Sequence, residues 1–171
     1  MHPLLLELSG GNFRSIGRSE EVVEAVLADP KLFAVLMSGL TADDALIRMR
    51  AADAAEKVTA KHPEWLGPYK GYLLTEVAQS EQQEVRWHAA IMFTRVKLTE
   101  AERTRVISIL RSWLDDRSRI VQTTSLQALA DLSKQDPGLR SKVKRLIEDK
   151  IKSGPPSVKA RGKKLLQEMS K

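Results

Sequence analysis

Arg86, Trp87 and His88 stand side by side in EQQEVRWHAA (81–90). A cation, a large aromatic and an imidazole together suit a nucleotide-stacking platform, a proton-transfer site or a purely structural role. The remaining chemistry-bearing residues do not build a catalytic constellation around them. Histidine occurs as His2, His62 and His88, with no His-x-x-x-His or HExxH pair to seed a zinc site. Cysteine is absent, so disulfides, thiolate nucleophiles and cysteine-ligated metals are excluded. GGNFRSIGR (10–18) lacks the Lys-Ser/Thr of a phosphate loop, and no strand precedes it; Gly10, Gly11 and Gly17 read as turn residues. The acid pairs Glu20-Glu21, Asp43-Asp44 and Asp115-Asp116 fall at expected helix ends, where solvated carboxylates complement the helix dipole and make poor general acids. The expectation is a protein that is not an enzyme, with no catalytic residue, metal or cofactor.

The elements that carry Arg86, Trp87 and His88 repeat along the chain. VRWHAAIMFTRV (85–96) aligns with IRMRAADAAEKV (47–58), VQTTSLQALADL (121–132) and VKARGKKLLQEM (158–169). The anchors Ile47, Val85, Val121 and Val158 are spaced by 38, 36 and 37 residues. Apolar or small residues recur four, five, seven, eight and eleven places after each anchor, Lys163 in the fourth copy excepted, which draws one broad stripe on an α-helix. A preceding helix repeats as well, because Leu36, Leu74, Leu110 and Ile147 each stand eleven residues before an anchor. One helix pair cannot bury its apolar face alone, whereas stacked pairs bury a continuous core.

Local signals place the boundaries. Asp29-Pro30, His62-Pro63 and Asp136-Pro137 open the first, second and last pairs, and Thr99 with Glu102 forms a capping box at the third. Thr41 with Asp44, and Ser80 with Gln83, read as caps of second helices; Ser153 to Ser157 breaks the last pair. The reading is all-α, with four helix pairs at about 30–62, 63–98, 99–135 and 136–171 forming a single structural domain. Residues 1–29 supply a Gly-rich loop and a capping helix near 19–28.

DDALIRMRAADAA (43–55) and EVRWHAAIMF (84–93) resemble the second helices of HEAT repeats, with the form D-x-x-V-R-x-x-A-A-x-A-L. The third copy departs at Gln122 and Ser125-Leu126, and the fourth at Pro155 and Gly162. The resemblance covers about residues 30–170, and the whole chain is similar to short bacterial HEAT-repeat proteins labelled adaptin-like. It implies a right-handed α-α superhelix of the armadillo-like kind, with second helices lining a concave face. It also implies that the repeat arginines, Arg48 and Arg86, pair with aspartates as structural residues.

On that geometry the places between the stripes project into the groove: Met49, Arg50, Asp53 and Lys57, then Trp87, His88, Ile91 and Arg95. The third copy supplies Thr123, Thr124, Gln127 and Asp131, and the fourth Ala160, Arg161, Lys164 and Glu168. Trp87 near Arg and His has the composition of a binding hot spot, or else packs over the adjacent second helix. Met49, Arg50, Asp53, Trp87, His88, Ile91 and Arg95 are therefore the candidate surface for a protein or peptide partner. Trp65, Tyr69 and Tyr72 read as packing between repeats, and Trp113 as core.

Charge supplies the alternative. Residues 134–171 hold twelve Lys/Arg against four Asp/Glu, a net of +8, while residues 1–133 hold 16 against 18. Lys142, Lys144, Arg145, Lys159, Arg161 and Lys164 form the basic surface of a weak, non-specific nucleic-acid reading. Lys159 takes the place of the repeat arginine, and Lys163, at a stripe place, is expected to snorkel to water. The leader is a poor signal peptide, and no apolar run approaches the ~20 residues needed to span a bilayer. A cytoplasmic, soluble monomer with no membrane contact is the expectation.

Overall fold

The computed structural model describes residues 1–171, which form ten α-helices joined by 3₁₀ turns, with no strand. The chain divides into two compact units, residues 1–97 and 98–171.

In the first unit, α1 (Pro3–Leu6) and α2 (Ser19–Ala28) precede α3 (Leu32–Ser38), α4 (Ala45–Lys61), α5 (Lys70–Thr75) and α6 (Gln83–Phe93). α4 packs against α2 on one side and α6 on the other. The stripes account for this row: Ile47, Ala51, Ala52, Ala54, Ala55 and Val58 of α4 are buried, as are Val85, Ala89, Ala90, Met92 and Phe93 of α6 with Val96 just beyond it. Small residues at those places let the helices lie close while apolar area leaves water. Asp44 caps α4, its Oδ1 accepting from the amides of Leu46 at 2.8 Å and Ile47 at 3.4 Å. Thr41, expected to share that work, instead hydrogen-bonds the Tyr72 hydroxyl at 2.9 Å. Ser80 accepts from the Gln82 amide, one residue before α6 begins, and closes the turn.

The opening half of the second pair departs from a regular helix. Residues Pro63–Tyr69 form a 3₁₀ segment and α5 has only six residues. Gly67, Pro68 and Gly71 explain this, since Pro68 removes an amide donor and crowds the preceding turn. Trp65 and Tyr69 still reach the first pair, each meeting the Phe33 ring edge-on at 5.5 and 5.4 Å. Tyr72 donates to the Met37 carbonyl at 3.1 Å. The aromatic set is packing between neighbouring pairs.

In the second unit, α7 (Glu100–Trp113), α8 (Arg119–Gln135), α9 (Arg140–Ser153) and α10 (Pro156–Met169) make two hairpins. Thr99 and Glu102 close the expected capping box, and Asp136 accepts from the Gly138 amide and pairs with Arg103 at 2.9 Å. α8 packs on α7, α9 and α10 through Val121, Ser125, Leu126, Ala128, Leu129 and Leu132. Trp113 is buried as core. At Gly162 an added Cβ would come within 2.7 Å of Ile151, so the departure from alanine allows α9 and α10 to approach closely. Lys163 is exposed, as its stem and charge require. No helix is long and apolar enough to cross a membrane.

Candidate functional site

Residues 8–17 lie across α4, and Arg50 holds them there. Leu8 is fully buried and the loop then turns through three glycines with positive φ: Gly10 at 74°, Gly11 at 81° and Gly17 at 55°. Only glycine adopts that region at little cost. The turns aim five carbonyls at one guanidinium. Arg50 Nη1 donates to the oxygens of Leu8 (2.8 Å), Ser9 (3.2 Å) and Gly10 (2.7 Å), Nη2 to Asn12 (3.3 Å) and Nε to Ser15 (3.1 Å). A Cβ at Gly17 would stand 2.7 Å from Arg50 Cζ. The glycines therefore serve both the turn and the guanidinium packed against it.

This corrects one expectation. Arg50 does not project into an open groove; it is 2% exposed, and Met49 is buried beside it. Its charge is compensated by carbonyl dipoles, which replace the water that burial removes.

The loop stands away from α6 enough to leave a pocket of about 370 Å³. Phe13, Arg14, Ser15 and Ile16 form its outer wall, Met49, Arg50 and Asp53 its α4 side, and Glu84, Trp87 and His88 its α6 side. Five of the seven candidate residues thus converge on one cavity, while Ile91 and Arg95 lie outside its lining. Arg95 instead pairs with Glu56 and donates to the Glu56 carbonyl and to Thr59 Oγ1 at 3.0 Å. Phe13 and Ile16 are exposed at 57% and 44%, so the cavity has an apolar rim supplied by residues with no place in the repeat.

The polar floor is a chain of charges. Asp53 Oδ2 accepts from Ser19 Oγ at 2.6 Å and from Lys57 Nζ at 2.9 Å, and Lys57 also pairs with Glu20. His88 lies between two carboxylates, with Nε2 4.0 Å from Asp53 Oδ1 and Nδ1 4.0 Å from Glu56 Oε2. Both distances are too long for a hydrogen bond, and Nδ1 is buried without a partner. Burial pushes the His88 pKa below its ordinary value, and the attraction of Asp53 and Glu56 only partly offsets that. Trp87 packs its ring 5.6 Å from that imidazole and is half-buried.

A pH dependence follows. The folded chain holds His88 neutral more strongly than the unfolded chain does, so the contribution is fully present above the ordinary imidazole value of 6.5. It is lost as pH falls from there through the lower folded value. The wild-type melting temperature is expected to fall further between pH 7.5 and 5 than that of His88→Gln. Parallel curves for the two chains would show that His88 titrates as it does in water.

The arginines at the repeat place are structural. Arg48 donates to Gln82 Oε1 and to the Ala42 and Asp43 carbonyls at 2.7–2.9 Å. Arg86 Nε donates to the Ser80 carbonyl at 2.6 Å. Arg48 therefore ties two pairs together through Gln82 and main-chain oxygens, where the resemblance implied an aspartate.

The basic candidates of the second unit are not gathered into one row. Lys142 and Arg145 line a shallow groove with Arg111, whereas Lys144, Lys159, Arg161 and Lys164 lie outside it. Arg161 donates to Gln127 Oε1 at 2.8 Å. No group of histidines and carboxylates is arranged to hold a metal ion.

The helices define an all-α protein, whose first unit carries a loop-covered pocket on its row of α2, α4 and α6. No protein-family model matches the chain, and comparison with curated proteins gives no match.

Proposed function

We propose that the chain is a HEAT-like scaffold, a right-handed α-α superhelix without enzymatic activity, that holds a segment of a protein partner against α4 and α6. One observation carries this reading: a half-buried Trp87 lines a pocket whose other wall, residues 13–16, offers exposed Phe13 and Ile16. An aromatic anchor beside a partly desolvated polar floor is the composition of an interface hot spot. The loop itself supports the reading, because Arg50 already grips main-chain carbonyls of a turned segment on the same row of helices.

Trp87→Ala is expected to weaken a partner recovered by affinity capture by roughly 2 kcal/mol, about thirtyfold. The melting temperature should move much less. A large loss of stability with intact affinity would make Trp87 a packing residue.

A second reading draws on the second unit, where Arg111, Lys142 and Arg145 share a groove of about 460 Å³. Three cations track few phosphates, so binding to oligonucleotides should be weak and fall steeply with salt as counterions are released. Fluorescence anisotropy with duplex and single-stranded probes measures it. Tight binding at physiological salt would favour this reading over the protein scaffold.

A further inference from the structure

The pocket's charges and rings select among side chains. Asp53 Oδ2 is engaged by Ser19 and Lys57, but Oδ1 accepts no hydrogen bond and faces His88 Nε2 across 4.0 Å. Glu84 has no cationic partner; its one hydrogen bond is from Gln83 at 3.3 Å. The two carboxylates therefore reach the cavity with acceptor capacity unfilled. The same lining holds Trp87 and Phe13, whose ring faces attract cations, and Met49 and Ile16, which suit an aliphatic stem.

The opposing charges are weaker than their number suggests. Arg50 is already engaged by five carbonyls, and Arg14 is exposed at the rim with its side chain unpaired. Residues 1–97 as a whole carry 11 basic and 13 acidic side chains. At about 370 Å³ the cavity is at the small end of ligand sites and suits one long side chain.

We infer that this pocket receives the lysine or arginine side chain of a basic peptide segment, with its stem on Trp87, Met49 and Ile16 and its head between Asp53, Glu84 and the His88 ring. The inference rests on the scaffold reading and specifies its partner. Neutral His88 offers an acceptor to the incoming head, and protonated His88 would repel it. The titratable and charged groups around that imidazole are Asp53, Glu56 and Lys57 of α4, Glu20 of α2, Glu84 of α6, Arg95 just past α6, and Arg14 and Arg50 at the loop.

The test uses the full ¹⁵N-labelled chain and four acetylated, amidated pentapeptides, Gly-Ala-X-Ala-Gly, with X as lysine, arginine, norleucine or glutamate. The readout is the indole N–H signal of Trp87, assigned by its loss in Trp87→Phe. Lysine and arginine peptides are expected to shift it in a saturable way, and the norleucine and glutamate peptides to leave it in place. Glu84→Gln should weaken the lysine peptide and Arg14→Gln should tighten it, each by about two- to fivefold, the range for one partly exposed charge. Asp53→Asn is a further variant, interpretable if its spectrum remains folded.

Equal binding of the norleucine peptide would overturn the cationic assignment and leave an apolar docking site. A preference for glutamate, weakened by Arg14→Gln, would overturn it in favour of an acidic segment. Silence from all four peptides would also overturn it. The scaffold reading fails separately, if a recovered partner is held equally by wild type and Trp87→Ala.

Discussion

Arg50→Ala is expected to free residues 8–17 from α4 and to lower stability by about 3 kcal/mol. Five hydrogen bonds to one charge, at roughly 1.5–3 kcal/mol each, would by simple addition match the whole stability of a small unit. The sum is not additive, because a released loop returns its carbonyls to water. The ceiling is therefore the free energy of detaching the loop, including the buried Leu8 that anchors its start. Arg50→Lys keeps the charge but replaces a planar fork by a point donor with three hydrogens, so it should fall between wild type and alanine. Gly17→Ala reaches the same released state with Arg50 intact, since it forces a side chain into positive φ and into contact with the guanidinium. Two measurements check this: thermal unfolding, and amide exchange with trypsin cleavage at Arg14 and Arg18. A chain carrying Arg50→Ala that melts like wild type, with those amides still protected, would show that the loop is held by Leu8 and α1 alone.

The helical frame was legible because its signal is periodic. Ile47, Val85, Val121 and Val158 are all buried, and so are Leu36, Leu74, Leu110 and Ile147 eleven residues earlier. α2 begins at Ser19, where the capping helix was expected. The site was legible only in part, and the place three residues after each anchor shows why. Arg50, His88, Thr124 and Arg161 occupy it in turn, and the repeat treats them alike. The structure buries Arg50 under the N-terminal loop, sets His88 between two carboxylates, leaves Thr124 half-exposed and exposes Arg161. What differs is the neighbour, and the neighbour is not periodic. The partners of Arg50 are main-chain oxygens 35 to 42 residues away, which leave no side-chain signature. Gly10, Gly11 and Gly17 did mark a tightly turned loop. Nothing in them named the side chain around which it turns, so Phe13 and Ile16 could not be placed beside Trp87.

Deleting residues 136–171 is expected to cause association or to unfold residues 98–135. α8 is the central helix of the second unit, packed on α7 and also on α9 and α10. The truncation removes α9 and α10 but leaves Leu126, Leu129 and Leu132, each buried in the full chain, on a helix without those two neighbours. Exposing a buried leucine costs roughly 1.5–3 kcal/mol, so two or three exposures equal a small unit's whole stability. The same cut removes Asp136, and with it the ion pair that holds Arg103 at the start of α7. The last pair of a stacked helical array needs a polar outer face, and an array that loses such a pair presents an apolar face to solution. Sedimentation across a concentration series should find the truncated chain self-associating. Amide exchange should find α7 and α8 losing protection wherever it stays monomeric. If residues 1–135 remain monomeric with an unchanged melting temperature, α8 does not depend on α9 and α10, and the boundary between the third and fourth pairs is misplaced.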